Sequence, residues 1–188
     1  MKYNVIINHQ PELLAQTMSA LLTALGLQSP SPNTAPPPSY AATAIIFQFL
    51  FAHAAISTRP LKNYYRIDHN VSPRQDLTKY GPAAVAAGKL TQKQLNRLHR
   101  IEGAHANSIE HLPFFVGALI WAHVAGLETT EINRSALAYV LVRIAYAVAY
   151  VFIEKAEFSL ARGVLWWMSN FVCCRLFWLG GNAINGRS

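Results

Sequence analysis

Three sets of polar residues interrupt apolar sequence at helical spacing. Arg100, Ala104, Asn107, Glu110 and Phe114 follow one another by steps of 4, 3, 3 and 4, and Tyr139, Arg143, Tyr146 and Tyr150 by steps of 4, 3 and 4. Each set therefore occupies one stripe of a helix. Arg162, Trp166 and Asn170 form a third run, one turn apart each time. Charges and amides in apolar helices are costly and face a bundle interior or a wet cavity, where they mark functional sites. Cations, a carboxylate, amides and phenols brought to one depth are the ingredients of a pocket for a polar ligand. A plainer reading stands beside this one. Glu110 could be the buried counter-ion of Arg143 or Arg100, and the tyrosines interfacial anchors. His53, His105, His111 and His123 lack metal-ligand spacing with carboxylates or cysteines, so no metal site is expected.

The elements that must carry these stripes follow from composition. The chain has 188 residues, 52% of them hydrophobic and 13% charged, about half the charge of an ordinary soluble domain. Intrinsic disorder is excluded, because it needs the opposite balance. The Gly and Pro residues have no fixed period, which excludes a fibre. The apolar residues come in blocks, so the expected class is all-α, an integral-membrane four-helix bundle over residues 41–181. Its spans are expected at about 41–57, 103–125, 135–152 and 161–179, each near the roughly 20 residues that cross about 30 Å of hydrocarbon. The second helix is longer, from an N-cap at Thr91 to a stop at Gly126, and its polar first third should project from the membrane. Residues 1–40 are expected to form an amphipathic surface segment followed by a Pro-rich linker. Leu14, Met18, Leu21, Leu22 and Leu25 share one face there, and QSPSPNTAPPP forms the linker. Residues 182–188 are a tail.

Sixteen Lys and Arg against nine Asp and Glu give a net charge of +7. Its distribution argues for topology rather than for nucleic acid, which no motif supports. Arg59, Lys62, Arg66, Arg74, Lys79 and Lys89 cluster between two apolar blocks against Asp68 and Asp76, which predicts a cytosolic 59–89 loop with both termini across the membrane. Arg59, Asn107, Glu110, Tyr146, Tyr150 and Arg162 then all lie near the cytosolic interface. A lone four-helix unit would have to hide Glu102, Glu110, Arg143 and Arg175 within a narrow core, and subunit contacts would add buried faces. Cys173 and Cys174 are adjacent, hence about 100° apart on a helix and unsuited to bridging each other.

RIEGAHANSIEHLPFF (Arg100 to Phe115) resembles the second-helix signature of the MAPEG family, the membrane-associated proteins in eicosanoid and glutathione metabolism. RIAYAVAY (Arg143 to Tyr150) is similar to its third-helix motif, and ISTRP (Ile56 to Pro60) to the end of its first helix. The resemblance implies a homotrimer in the lipid bilayer, in the endoplasmic reticulum, with glutathione held between neighbouring subunits and a hydrophobic small molecule as substrate. It implies Arg162 and Arg59 as catalytic cations, and Asn107, Glu110, Tyr146, Tyr150 and Arg100 as glutathione contacts. The implied activity is that of a glutathione-dependent transferase or isomerase. Many glutathione-using members carry Arg where this chain has Gly103 and Ala106. That difference leaves an isomerase or cyclase working without glutathione, or a lipid-binding scaffold, as alternatives.

Overall fold

The structure is a computed structural model that describes residues 3–29 and 36–186, with side chains from residue 11 onward. Most of the expected Pro-rich linker, residues 30–35, lies outside the described residues, as do the last two residues of the tail. Every regular element among the described residues is helical. Helix α1 (Tyr3–Ala24) runs through Pro11, so it begins earlier than a break at that proline would suggest. Leu13, Leu14, Met18 and Leu21 on it are exposed, as is Leu25 just after it. Asn133 clasps the segment after α1: its amide donates to Gly26 O and Pro38 O, both at 3.0 Å, and accepts from the Tyr40 N–H at 2.9 Å.

Four long rods make the bundle. The first is α2 (Ala41–Leu50), which continues as a π-helical turn, Phe51–Ala55. Two short loop helices follow, α3 (Arg59–Tyr64) and α4 (Gly81–Ala86), and then the other three rods, α5 (Gln92–Val124), α6 (Thr129–Phe152) and α7 (Leu160–Ile184). Thr91 caps α5 with a complete capping box to Gln94. Gly126, at φ +73°, takes the left-handed turn that releases the chain toward α6. The bundle core is Phe115, Ala118, Leu119, Ala122, Ile132, Ala136, Tyr139, Cys173 and Leu176, with Phe115 and Tyr139 stacked at 3.7 Å.

Two segments, Ala41–Tyr64 and Thr129–Phe152, are long and apolar enough to be membrane spans by themselves. The other two rods fall short of that measure for a physical reason. Helix α5 carries Arg100, Glu102, Asn107 and Glu110, and α7 carries Arg162, Asn170 and Arg175, and these polar side chains lower the hydropathy of both.

The basic loop is a folded cap. Helices α3 (Arg59–Tyr64) and α4 (Gly81–Ala86) close over a second small core of Ile67, Leu77, Ala84, Leu90, Leu95 and Leu98. Lys62 and Asp76 lock it with a 2.9 Å ion pair whose side chains are 5% and 0% exposed. Lys62 also donates to Pro73 O at 2.7 Å, and the His69 N–H donates to the second Asp76 oxygen at 3.2 Å. The sequence reading counted Lys62 and Asp76 as loop charge; the fold spends them on each other.

Candidate functional site

The α6 stripe faces α5 and α7. Arg143 is wholly buried and donates through Nη2 to Asn107 O at 3.0 Å and Ser108 Oγ at 3.1 Å. Its Nε and Nη1 have no hydrogen-bond partner among the described residues. The guanidinium carbon lies 4.6 Å from the centre of the Tyr146 ring. Tyr146 and Tyr150 follow with ring centres 5.6 Å apart, and Arg162 from the first turn of α7 stands 4.9 Å over Tyr150. The sequence Arg143–Tyr146–Tyr150–Arg162 is thus a ladder of cation, ring, ring and cation. It runs from the bundle interior to the partly exposed Arg162. Cations over aromatic faces are attracted by the ring quadrupole, and Arg stacks there well.

Gly103 is what lets this ladder stand against α5. A Cβ at that position would lie 2.9 Å from Tyr150 Cε1 and 3.0 Å from its hydroxyl, so only glycine leaves room for the ring. Asn107, one turn on, donates its amide to Gly103 O at 2.8 Å. Arg100, another site residue read from the sequence, is committed elsewhere. It donates to Val151 O at 3.0 Å and pairs with Glu154 at 2.9 Å, pinning the last turn of α6.

Glu110 forms no ion pair with Arg143 or Arg100 among the described residues. It is exposed and lines a cleft of about 530 Å³ together with Ser57, Arg59, Arg74, Glu102 and His105. Arg59 there is held by Asn70 Oδ1 at 2.6 Å and by Asp68 at 3.5 Å, with its own side chain 59% exposed. Within one chain the structure thus brings the predicted residues together in two groups. Asn107, Tyr146, Tyr150 and Arg162 adjoin the ladder, while Arg59 and Glu110 share the cleft between the loop and α5.

Other partners were invisible to spacing alone. His111 bridges Tyr139 Oη at 2.9 Å and Asn170 Oδ1 at 3.2 Å, tying α5, α6 and α7 in one polar contact. His111 follows Asn107 by four residues on the same stripe, so its inward direction was readable although its partners were not. Arg175 pairs with Glu131, satisfying within one chain a charge that the sequence reading assigned to subunit contacts. Ser108, which receives Arg143, gave no sequence signal at all.

Among family models, the one described as "MAPEG family" matches residues 38–182. No curated protein and no solved structure matches the chain.

Proposed function

Because the chain belongs to the MAPEG family, we propose that it is a membrane glutathione-dependent transferase or isomerase acting on a hydrophobic small molecule, assembled as a homotrimer. The observation that carries this reading is the Arg162 guanidinium seated on Tyr150 at 4.9 Å, partly exposed and held in place from below. Glutathione, when bound, supplies a thiol nucleophile, and the donor set here fits such a tripeptide. Arg162 is a cation that favours a thiolate over a thiol. Glu110 is an exposed carboxylate suited to an ammonium group. Asn107, Tyr146 and Tyr150 offer hydrogen bonds, and Arg59 a second anion contact. The cleft with Arg59 and Glu110 and the ladder with Arg162 would complete one another across a subunit boundary. An apolar electrophile would enter from the lipid. The loop from Arg59 to Lys89 would face the cytosol of an endoplasmic-reticulum membrane.

One observation favours a second reading. Tyr150 fills the space beside Gly103, and with Ala106 this leaves two positions of α5 without a cation. A lipophile isomerase or cyclase that uses no thiol fits that poorer charge set.

Titration of the detergent-purified protein with glutathione separates the two. The first reading expects saturable binding, lost in Arg162→Ala and weakened at least about tenfold in Glu110→Gln, with thermal unfolding of the latter unchanged because Glu110 is exposed. Turnover of a lipophile with no glutathione binding supports the second.

A further inference from the structure

A large cleft lies outside the residues assigned to the thiol site. It measures about 950 Å³ and is lined by Lys93, Gln94 and Arg97 of α5, by residues 151–155 at the end of α6 and just beyond it, and by Phe158 and Ala161. Three of its lining side chains are cations: Lys93, Arg97 and Lys155. The one carboxylate, Glu154, is already engaged by Arg100 at 2.9 Å and by Lys93 at 3.9 Å. Phe152 forms an apolar wall, with the Arg97 guanidinium 4.7 Å over its ring. All of these residues sit where α5 begins, α6 ends and α7 begins, on the side of the bundle that bears the basic loop.

A second hollow starts at the same turn of α7. Leu160, the neighbour of Ala161, opens a groove of about 640 Å³ between α6 and α7, lined by Ala138, Val142, Val164, Trp167, Phe171 and other apolar residues. From Leu160 to Val172 the groove descends about 18 Å at roughly 1.5 Å per residue. That is more than half of the ~30 Å hydrocarbon core. A basic cleft beside the start of an apolar groove that runs on along α7 matches one amphiphile: an anionic head on a long hydrocarbon tail. Basic pockets between membrane helices hold anionic lipid headgroups in this way.

We infer that this pair of hollows is a binding site for an anionic phospholipid of the loop-side leaflet. Lys93, Arg97 and Lys155 hold its phosphate, and the α6–α7 groove holds an acyl chain. The charge balance selects the anionic head. The apolar groove whose lining begins one residue away, at Leu160, favours a lipid over a free anion. Because none of the three cations belongs to the proposed thiol site, the lipid site stands or falls independently of glutathione use.

Native mass spectrometry of the full chain in mild detergent tests it, with dioleoylphosphatidylserine and dioleoylphosphatidylcholine as competing probes. Each cation near a surface is worth about fivefold toward an anionic lipid, so the serine lipid is expected to be retained at least about tenfold over the choline lipid. Lys93→Gln combined with Lys155→Gln should remove most of that preference while glutathione affinity stays unchanged. Gly163→Trp should also weaken retention of the serine lipid severalfold. Gly163 lines the groove, and a Cβ there meets nothing within 4 Å, so a side chain can leave the helix at this point and a large one competes for the hollow. Equal retention of both lipids overturns the inference. Displacement by millimolar inorganic phosphate, with Gly163→Trp inert, reassigns the cleft to a small anion and overturns the lipid. A disulfide between Trp167→Cys residues of two copies, with neither lipid retained, makes the groove a subunit contact and overturns it as well.

Discussion

Lys62 and Arg143 are both buried cations, 4% and 0% exposed, and the chain treats them in opposite ways. In the cap, Lys62 meets a carboxylate that is itself buried and receives a backbone N–H on its other oxygen. Its charge is neutralised on the spot. In the bundle, Arg143 meets a carbonyl, a hydroxyl and an aromatic face, none of which carries a full negative charge. Its positive field is left in place and stacked through two rings toward Arg162. The difference separates a pair that closes a fold from a cation whose charge is left without a counter-ion among the described residues. A neutralised pair holds the loop in one shape and offers nothing to a ligand. An un-neutralised guanidinium backed by tyrosines keeps the region electropositive, which suits a ligand that must lose a proton.

The largest expected effect is on the closed pair. Asp76→Ala strands the Lys62 ammonium in the cap and should destabilise it by about 3–5 kcal/mol, the usual consequence of removing one partner of a buried ion pair. Thermal unfolding, or protease nicking within residues 59–89, reads this directly. Arg143→Met should cost less, about 1–2 kcal/mol, since no counter-ion is stranded and only hydrogen bonds to a carbonyl and a hydroxyl are lost. Ligand affinity should fall about tenfold in the same protein. Equal destabilisation by the two variants would erase the distinction and make Arg143 a purely structural cation.

The contrast shows what spacing in a sequence conveys and what it omits. The stripes Arg100 to Phe114 and Tyr139 to Tyr150 were legible because a helix has a fixed period, and Thr91 and Gly126 because caps and stops have local chemistry. The partner of a charge has no such local signature. The plainer of the two readings gives Glu110 to Arg143 or Arg100 as a counter-ion, whereas Arg143 bonds to Asn107 O and Ser108 Oγ. Arg100 was placed with the ligand contacts, whereas it grips Val151 O and Glu154 across a chain separation of more than 50 residues. Lys62 and Asp76 lie 14 residues apart in a segment without periodicity, so only the folded loop reveals them as a pair. The absent side chain of Gly103 was visible as a departure from the MAPEG pattern. That the Tyr150 ring occupies its place depends on how α5 and α6 approach.

Gly103→Ala sharpens the comparison from the ladder's side, with a smaller effect and an unusual sign. In a helix interior Ala is favoured over Gly by about 1 kcal/mol, so the bundle should be no less stable and its melting temperature unchanged or raised. The new Cβ would sit 2.9 Å from Tyr150 Cε1, which forces the ring off α5 and takes Arg162 with it. Ligand affinity should fall about three- to tenfold with stability retained, and Tyr150→Leu in the same background should abolish the difference between Gly and Ala. Loss of stability and affinity together would mean that the ladder is ordinary packing.

The smallest effect concerns Gln48, the apolar bundle's own buried amide. It is 0% exposed, and neither its oxygen nor its nitrogen has a hydrogen-bond partner among the described residues. A buried amide left unpaired carries a desolvation cost, while an apolar group of similar length carries none. Gln48→Met should therefore leave ligand affinity unchanged and raise stability by up to about 1 kcal/mol, read as a higher melting temperature in the same detergent. The opposite sign is equally informative. A drop in stability would mean that the amide satisfies itself through internal water, as buried polar groups in a sufficiently roomy site do. Gln48 would then belong with the open nitrogens of Arg143, in a hydrated interior between α2 and α6. The bundle would join the ladder as a polar region kept available, and Lys62 with Asp76 would remain the closed case.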